Sequence, residues 1–186
     1  MAKTSTTDHQ AQISDLLGNN RHVHFPRGRY NGSAAITITN TLHISGDPFA
    51  ELRFTDGAYT ALRFTGGSAA RSKIENIFIR GTASVAPTVT LVRMDTAAGY
   101  STISGCWFAY ADLCLDLDGV YITSVYDNIF AVAKRYWRLE DSTFGTAANQ
   151  FWGNKYGTPI AGNIDDLIYI AAPGVTMFGE YWETQQ

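Results

Sequence analysis

Three carboxylates recur at nearly constant spacing in the middle of the chain. Asp95, Asp118 and Glu140 each follow a triplet in which apolar, polar and apolar residues alternate. Two carboxyl groups about 5 to 5.5 Å apart support retaining glycoside hydrolysis, and groups about 6.5 to 9.5 Å apart support inversion. The spacing therefore predicts a candidate catalytic column, in which Asp118 and Glu140 form the preferred pair.

The same carboxylates allow other interpretations. They fall where strands would end, Gly119 and Asp141 follow two of them, and aspartate is common in turns. A cation bridging the column is a further alternative, because hard cations favour carboxylate oxygens. Like charges on neighbouring rungs would repel one another, so the column is hard to explain as neutral packing.

The triplets that precede these carboxylates form an internal repeat. Their starting positions are 30, 23, 22 and 31 residues apart. Alternation with period two is typical of a strand with one buried face, and a coil of about 22 residues with inserted loops is what a stacked solenoid requires. The triplets are LRF at 62–64, VRM at 92–94, LDL at 115–117, WRL at 137–139 and IYI at 168–170.

A second series of segments follows the triplets in the same order. The two series advance together, which predicts an all-β fold, a right-handed parallel β-helix over residues 21–186 with five rungs. Insertions in such solenoids fall in loops, which we place at 80–88 and 154–166. The second series is IENIFI at 74–79, ISGCWF at 103–108, VYDNIF at 125–130, AANQFW at 147–152 and VTMFGE at 175–180.

The first twenty residues differ from the rest of the chain. Ile13, Leu16 and Leu17 have the i, i+3, i+4 spacing of a helix, and Gly18 follows them. Residues 1–20 are therefore predicted to form an N-terminal segment with a short capping helix that ends at the glycine.

The middle residues of the triplets predict an outward column on the solenoid. Arg93, Asp116 and Arg138 would form a ladder of alternating charge. One interpretation is a surface ion-pair ladder, worth about 0 to 1 kcal/mol per contact. The other is a cationic groove that binds an acidic sugar, with Tyr110 and Tyr136 stacking on sugar rings.

The second series predicts an apolar column. If Ile77, Cys106, Asn128 and Gln150 point inward, the neighbouring side chains point outward, and an apolar stripe of that length should be covered. It would then be a subunit interface in a three-fold assembly. With the opposite parity the stripe would instead be the core. The stripe consists of Phe78, Trp107, Ile129 and Phe151.

Composition excludes several classes of function. The net charge of −3 and a pI near 5.7, without a basic run, give no reason to expect a nucleic-acid partner or membrane insertion. No apolar run is long enough for a membrane span, and no signal peptide is apparent. Cys106 and Cys114 are expected to be buried thiols, and neither a metal site nor a cofactor is predicted.

The segment RHVHFPRGRYNGSAAITITNTLHISGD, with DNIF and the final MFGEYWE, resembles the pectin-lyase-like β-helix superfamily and, within it, bacteriophage tailspike proteins. The resemblance implies a homotrimer in the virion, synthesised in the host cytoplasm, that contacts bacterial surface polysaccharide or another virion protein. Polysaccharide recognition or particle decoration is then the expected function. The alternative is a polysaccharide-degrading enzyme, a hydrolase or lyase, acting through the acidic column.

That resemblance is incomplete. The sequence has no separate N-terminal particle-binding domain and stops at Gln186 without a trimerisation domain. We expect either a fragment of a longer protein or a small virion component that uses the rod alone.

Overall fold

The computed structural model describes residues 7–83, 85–95, 98–140, 148–160 and 167–182. Apart from the helix α1 (Gln10–Asn19) and a short 3-10 turn η1 (Gly67–Ala69), its elements are strands. They are β1 (His22–Phe25), β2 (Gly28–Gly32), β3 (Ile36–Ile38), β4 (His43–Gly46), β5 (Ala50–Phe54), β6 (Thr60–Thr65), β7 (Lys73–Glu75), β8 (Phe78–Gly81), β9 (Thr90–Asp95), β10 (Thr102–Ser104), β11 (Trp107–Ala109), β12 (Leu113–Asp118), β13 (Ser124–Tyr126), β14 (Ile129–Ala131), β15 (Arg135–Glu140), β16 (Asn149–Trp152), β17 (Lys155–Tyr156), β18 (Ile168–Ala171), β19 (Val175–Phe178) and β20 (Tyr181–Trp182).

The strands form three parallel sheets that wind around one core. Sheet 1 has the order β1-β4-β7-β10-β13-β16-β19, and sheet 2 has the order β2-β5-β8-β11-β14-β17-β20. Sheet 3 runs β3-β6-β9-β12-β15-β18. Each strand pairs with the strand three places later in the chain, so one strand of each sheet makes a rung. The prediction of a parallel β-helix preceded by a short helix is confirmed.

Sheet 3 contains the predicted triplets in the predicted register. Leu62 lies over Val92, Val92 over Leu115, and Leu115 over Trp137. The sheet also contains one strand before the first predicted triplet, because Ile36 pairs with Leu62 on the side away from Val92. The solenoid therefore begins a rung earlier than the triplet series indicated.

The core is a set of stacked columns of apolar side chains that point inward from all three sheets. In sheet 1 the central column reaches Phe151, which is fully buried and stacks on Trp137 of sheet 3 with ring centroids 4.2 Å apart. Phe108, Phe130 and Tyr156 form a similar stack from sheet 2. Cys106 and Cys114 are both buried free thiols, as expected. The column of sheet 1 contains Val23, Ile44, Ile74, Ile103, Val125, Phe151 and Met177.

The chain turns from sheet 1 into sheet 2 through one left-handed residue in successive rungs. Glycine adopts this conformation without steric cost, and asparagine and aspartate tolerate it. At Gly105, with φ of +62°, an added Cβ would lie 2.4 Å from the Asn76 side chain. The corner residues are Asn76, Gly105, Asp127, Gly153 and Gly179, with φ between +54° and +65°.

Directly after this corner, polar side chains point into the solenoid. The Asn128 Oδ1 accepts a hydrogen bond from the Cys106 backbone N–H at 2.9 Å, and its Nδ2 donates to Asn154 Oδ1 at 3.0 Å. Asn154 donates in turn to the Val125 carbonyl at 3.0 Å. Both amides are fully buried, and their bonds to the backbone tie successive rungs together.

Helix α1 covers the first rung. Ile13 and Leu17 are buried in the core, and the side chain of Gln10 accepts hydrogen bonds from the backbone N–H groups of Ser33 and Ala34. The helix continues through Gly18 and ends at Asn19, where the Asn20 amide donates to the Leu16 carbonyl. The glycine is therefore not its terminator, and Asn20 instead donates to a carbonyl of the last turn.

The long loops lie close to the predicted places. The first begins later than expected, because Arg80 and Gly81 are part of β8, and residue 84 of that prediction lies outside the described part of the chain. The second was predicted at 154–166, but Lys155–Tyr156 forms β17. Residues 161–166 of that prediction lie outside the described part of the chain.

We expect Asn128→Ala to lower the free energy of unfolding by about 2 to 4 kcal/mol, because it leaves the buried Cys106 N–H without its acceptor and the Ile103 carbonyl without the Asn128 amide donor. Urea denaturation followed by circular dichroism measures the change. Gln150→Ala, at an exposed position of β16, is the matched control and should shift stability by less than about 0.5 kcal/mol. Equal stabilities of the two variants would contradict a structural role for the amide ladder.

Candidate functional site

The structure brings the three predicted carboxylates together on the outer face of sheet 3. Asp95 pairs in register with Asp118, and Asp118 pairs with Glu140, so the three occupy successive rungs. Neighbouring parallel strands lie about 4.8 Å apart. The predicted acidic column is therefore real as a geometric feature.

Arginines bind every member of that column. Arg63 and Arg93 both donate to the Oδ2 of Asp95, at 2.8 and 3.1 Å. Arg93 also donates to Asp118 Oδ2 at 2.9 Å. The contact of Glu140 is looser, because the Arg138 guanidinium of the same strand lies 3.5 Å from Glu140 Oε1. The carboxylates thus serve as counter-ions to the neighbouring column.

The predicted charge ladder is also present. Asp116 accepts two hydrogen bonds from Arg138, at 3.0 and 2.9 Å, and one from Arg93 at 3.1 Å. Although it points outward from sheet 3, Asp116 is only 3% exposed because the two guanidiniums cover it. The hydrogen bond and charge of Asp116 raise the pKa of Arg138 above its usual value. This arrangement fits the ion-pair interpretation and leaves no free cationic groove here.

The protonation of Asp95 also argues against an acid role. Burial would raise the pKa of this carboxyl, but hydrogen bonds from Thr65 and Arg63 and the charges of Arg63 and Arg93 lower it below the usual value. A general acid in glycoside hydrolysis needs a raised pKa. Asp95 is therefore ionised and committed to its arginines.

Of the two tyrosines predicted to bind sugar, Tyr136 is misplaced. It is fully buried, its hydroxyl donates to the Gly157 carbonyl, and burial raises its pKa. It lies in the doubly buried part of β15, which the alternation rule does not anticipate. Tyr110 is half-buried on the other side of the solenoid, where the Arg80 guanidinium lies 4.0 Å from its ring centroid.

The apolar column of sheet 2 has the predicted parity in its first three members. Phe78, Trp107 and Ile129 are in register and point outward, while Ile77, Cys106 and Asn128 are buried. Phe78 and Trp107 stack with ring centroids 4.8 Å apart.

The fourth member, Phe151, was assigned wrongly. It is fully buried and pairs with Val125 in sheet 1. The segment equivalent to VYDNIF is FWGNKY at 151–156, four residues later than the aligned AANQFW. The outward position of that rung belongs to Lys155, and that of the next to Tyr181.

A cleft that the sequence pattern did not predict lies beside this column. The turn between β4 and β5 raises Phe49 at φ of +71°, with 78% of its surface exposed, opposite the stacked Phe78 and Trp107. The cleft has a volume of about 620 Å³ and is mostly apolar. Its lining is Gly46, Pro48, Phe49, Glu51, Asn76, Ile77, Phe78, Gly105 and Trp107. In the sequence, only the Pro48-Phe49 pair within a turn indicated this cleft. A turn lies outside the strand repeat, so the repeat could not predict where Phe49 points.

Two further properties concern the described residues alone. They contain no group of three or more His, Cys, Asp or Glu side chains that could hold a metal ion. No helix among them has the length and apolar character needed to cross a membrane.

Comparisons with known proteins identify similar folds but no family. No family model and no curated protein matches the sequence. Among solved structures, the ORF18 protein of Geobacillus virus E2 is similar with a TM-score of 0.65 and 14% identity, over 95% of this chain and 45% of that chain. Catalytic domains of a GH87 alpha-1,3-glucanase, in complexes with tetrasaccharides and with nigerose, have TM-scores of 0.52 and 0.53 at 11% identity.

The glucanase matches cover 96% of this chain and 44% of those chains. The chain thus spans less than half the length of each of these structures. At such low identity the likeness establishes a shared β-helix fold, and the function must be argued from the site.

The lowered pKa of Asp95 predicts acid sensitivity. A carboxyl whose pKa is lower in the folded state stabilises the fold above its unfolded value, about 3.9, and loses that contribution as the pH falls through the folded value. Denaturation measured from pH 6 to pH 2 should show this loss, and Asp95→Asn should reduce the slope below about pH 4. Gln150→Ala, which changes no ionisable group, is the control and should keep the original slope. An unchanged slope in Asp95→Asn would contradict this role.

Proposed function

We propose that the chain is part of a bacteriophage virion protein that recognises a host surface polysaccharide without cleaving it. The cleft on sheet 2 carries this proposal, because it combines a concave shape with three exposed or half-exposed aromatic rings. The fold shared with a Geobacillus virus protein supports the virion context.

The chemistry of the cleft suits a sugar. The C–H faces of a pyranose ring pack on aromatic rings, and Trp107, which is 46% exposed, and Phe49 offer such rings from two sides. The Glu51 carboxylate and the exposed Asn76 amide lie in the same lining and can bond to hydroxyl groups. A few polar groups among apolar walls are typical of sites that bind small molecules or chain segments.

Catalysis is the second candidate. Its supporting observations are the register of Asp118 over Glu140 and the fold shared with glucanase catalytic domains. Against it, Arg93 binds Asp118 and Arg138 lies beside Glu140. The described cleft is also on sheet 2, whereas these carboxylates are on sheet 3, so recognition without cleavage is the better-supported function.

The homotrimer is part of the same proposal. An exposed apolar surface continues beyond the cleft on both sides of the corner between sheets 1 and 2. Ile129 and Tyr181 lie on the sheet 2 side, and Tyr126, Trp152 and Phe178 form a ladder of nearly parallel rings on sheet 1. We assign this surface, made by Ile129, Tyr181, Tyr126, Trp152 and Phe178, to contact between copies of the chain. It replaces the predicted stripe as the proposed trimer interface. Particle decoration remains its function if no polysaccharide binds.

Trp107→Ala should weaken binding of the protein to its host polysaccharide at least about tenfold, because the largest exposed ring of the cleft is lost. Binding to purified capsule or O-antigen from candidate hosts, measured by biolayer interferometry, checks this. Tyr169→Ala, which removes an exposed ring from sheet 3, is the control and should bind normally. Release of oligosaccharide fragments that Glu140→Gln abolishes would contradict recognition alone and favour the enzyme.

Trp152→Glu should dissociate the trimer, because it places a charge in the middle of the aromatic ladder. Light scattering coupled to size exclusion should give three times the 20.4 kDa chain mass for the original protein and a smaller mass for the variant. Tyr169→Glu should stay trimeric. A monomer in the original protein would rule out this assembly.

A further inference from the structure

Two arginines lie directly opposite each other on the outer face of sheet 2. Arg53 of β5 and Arg80 of β8 are partners in the register of that sheet. Like charges in this position destabilise a sheet. The pair therefore needs a compensating anion.

The chain supplies too little negative charge for this pair. Glu51 is shared, with one oxygen 3.4 Å from Arg29 Nε and the other 3.9 Å from Arg80 Nε. No described residue forms a hydrogen bond or ion pair with Arg53, and its Nε–H is shielded from solvent without an acceptor. Three guanidiniums facing one carboxylate leave two positive charges unbalanced, in a protein whose net charge is −3.

Sheet 3 shows how the same problem is solved within the chain. Arg63 and Arg93 are also partners on neighbouring rungs. There, both guanidiniums donate to one oxygen of Asp95. The Arg53 and Arg80 pair has the arrangement of sheet 3 without its bridging carboxylate.

We propose that an anionic group of the polysaccharide, a carboxylate or a phosphate, binds between Arg53 and Arg80. This inference rests on the proposed function and assigns the glycan to the acidic class. Guanidinium groups bind both kinds of anion through paired N–H donors. The site adjoins the cleft, because Phe78 and Arg80 are alternate outward residues of β8.

Tyr110 positions one half of the anion site. Its ring lies 4.0 Å from the Arg80 guanidinium and limits where that group can move. Desolvation of Arg80, together with the charges of Arg53 and Arg29, lowers its pKa despite the opposing effect of Glu51. A bound anion would offset the repulsion from Arg53 and Arg29.

The Nε–H resonances of the arginines report directly on the site. We expect titration with glucuronate or glucose 6-phosphate, in phosphate-free buffer at low salt, to shift the Arg53 and Arg80 signals saturably in ¹⁵N-resolved spectra. Glucose should leave both signals unchanged. The two titrations distinguish a carboxylate-bearing from a phosphate-bearing glycan. Failure of both ligands to shift either signal would overturn the proposal.

Variants separate this site from general charge attraction. Arg53→Gln should weaken anion binding, followed at the Arg80 signal, at least about tenfold. Lys155→Gln removes the same charge from the same sheet, four rungs beyond Arg53 and three beyond Arg80, and should have little effect. An equal loss of anion binding in both variants would mean that the anion responds only to the overall charge of the protein, and it would contradict a site between Arg53 and Arg80.

The two proposals can fail separately. Neutral polysaccharide binding that depends on Trp107, with silent arginine signals, would overturn the anion site and leave the proposed function standing. Arginine signals that respond to the anions, without binding of the protein to any host polysaccharide, would leave the anion site standing and overturn the proposed function.

Discussion

Each rung of this chain rests on the previous one through parallel backbone hydrogen bonds, in a register that runs unbroken through each sheet. Every side chain therefore lies about 4.8 Å from its equivalent in the next rung. Inside the solenoid this repetition is favourable, because apolar groups and aromatic rings stack on their own kind. For polar and charged groups it is a constraint, since like atoms are forced together.

The chain meets that constraint in different ways. The buried Asn128 and Asn154 alternate donor and acceptor, so each amide satisfies the next. On sheet 3 the arginines are interleaved with carboxylates, and Asp95 bridges the partnered arginines Arg63 and Arg93. Only where Arg53 meets Arg80, within the described residues, do two partnered arginines lack a bridging carboxylate. That exception is what makes sheet 2 chemically distinct from sheet 3.

The sequence contained enough to predict the fold and one outer face. The triplets of sheet 3 alternate strictly, so their register and the acidic column could be read directly. The corner between sheets 1 and 2 breaks alternation, and the alignment of Phe151 failed there because an insertion precedes that rung. Tyr136 was misjudged because the adjacent residues Tyr136 and Trp137 of β15 are both buried, which alternation does not predict. The cleft depends on the turn at Phe49, which is not part of the repeating pattern and so could not be predicted from it.

The outer surface of the solenoid consequently divides by rung as well as by sheet. On sheet 2 the arginine pair lies on β5 and β8, and from β11 onward the same column continues with Ala109 and Ala131. Ala109 is only 1% exposed, so the later rungs have no counterpart of the arginine pair in this column. Ligand recognition near the N-terminal cap and self-association farther along the rod can therefore coexist, because neither surface needs the other.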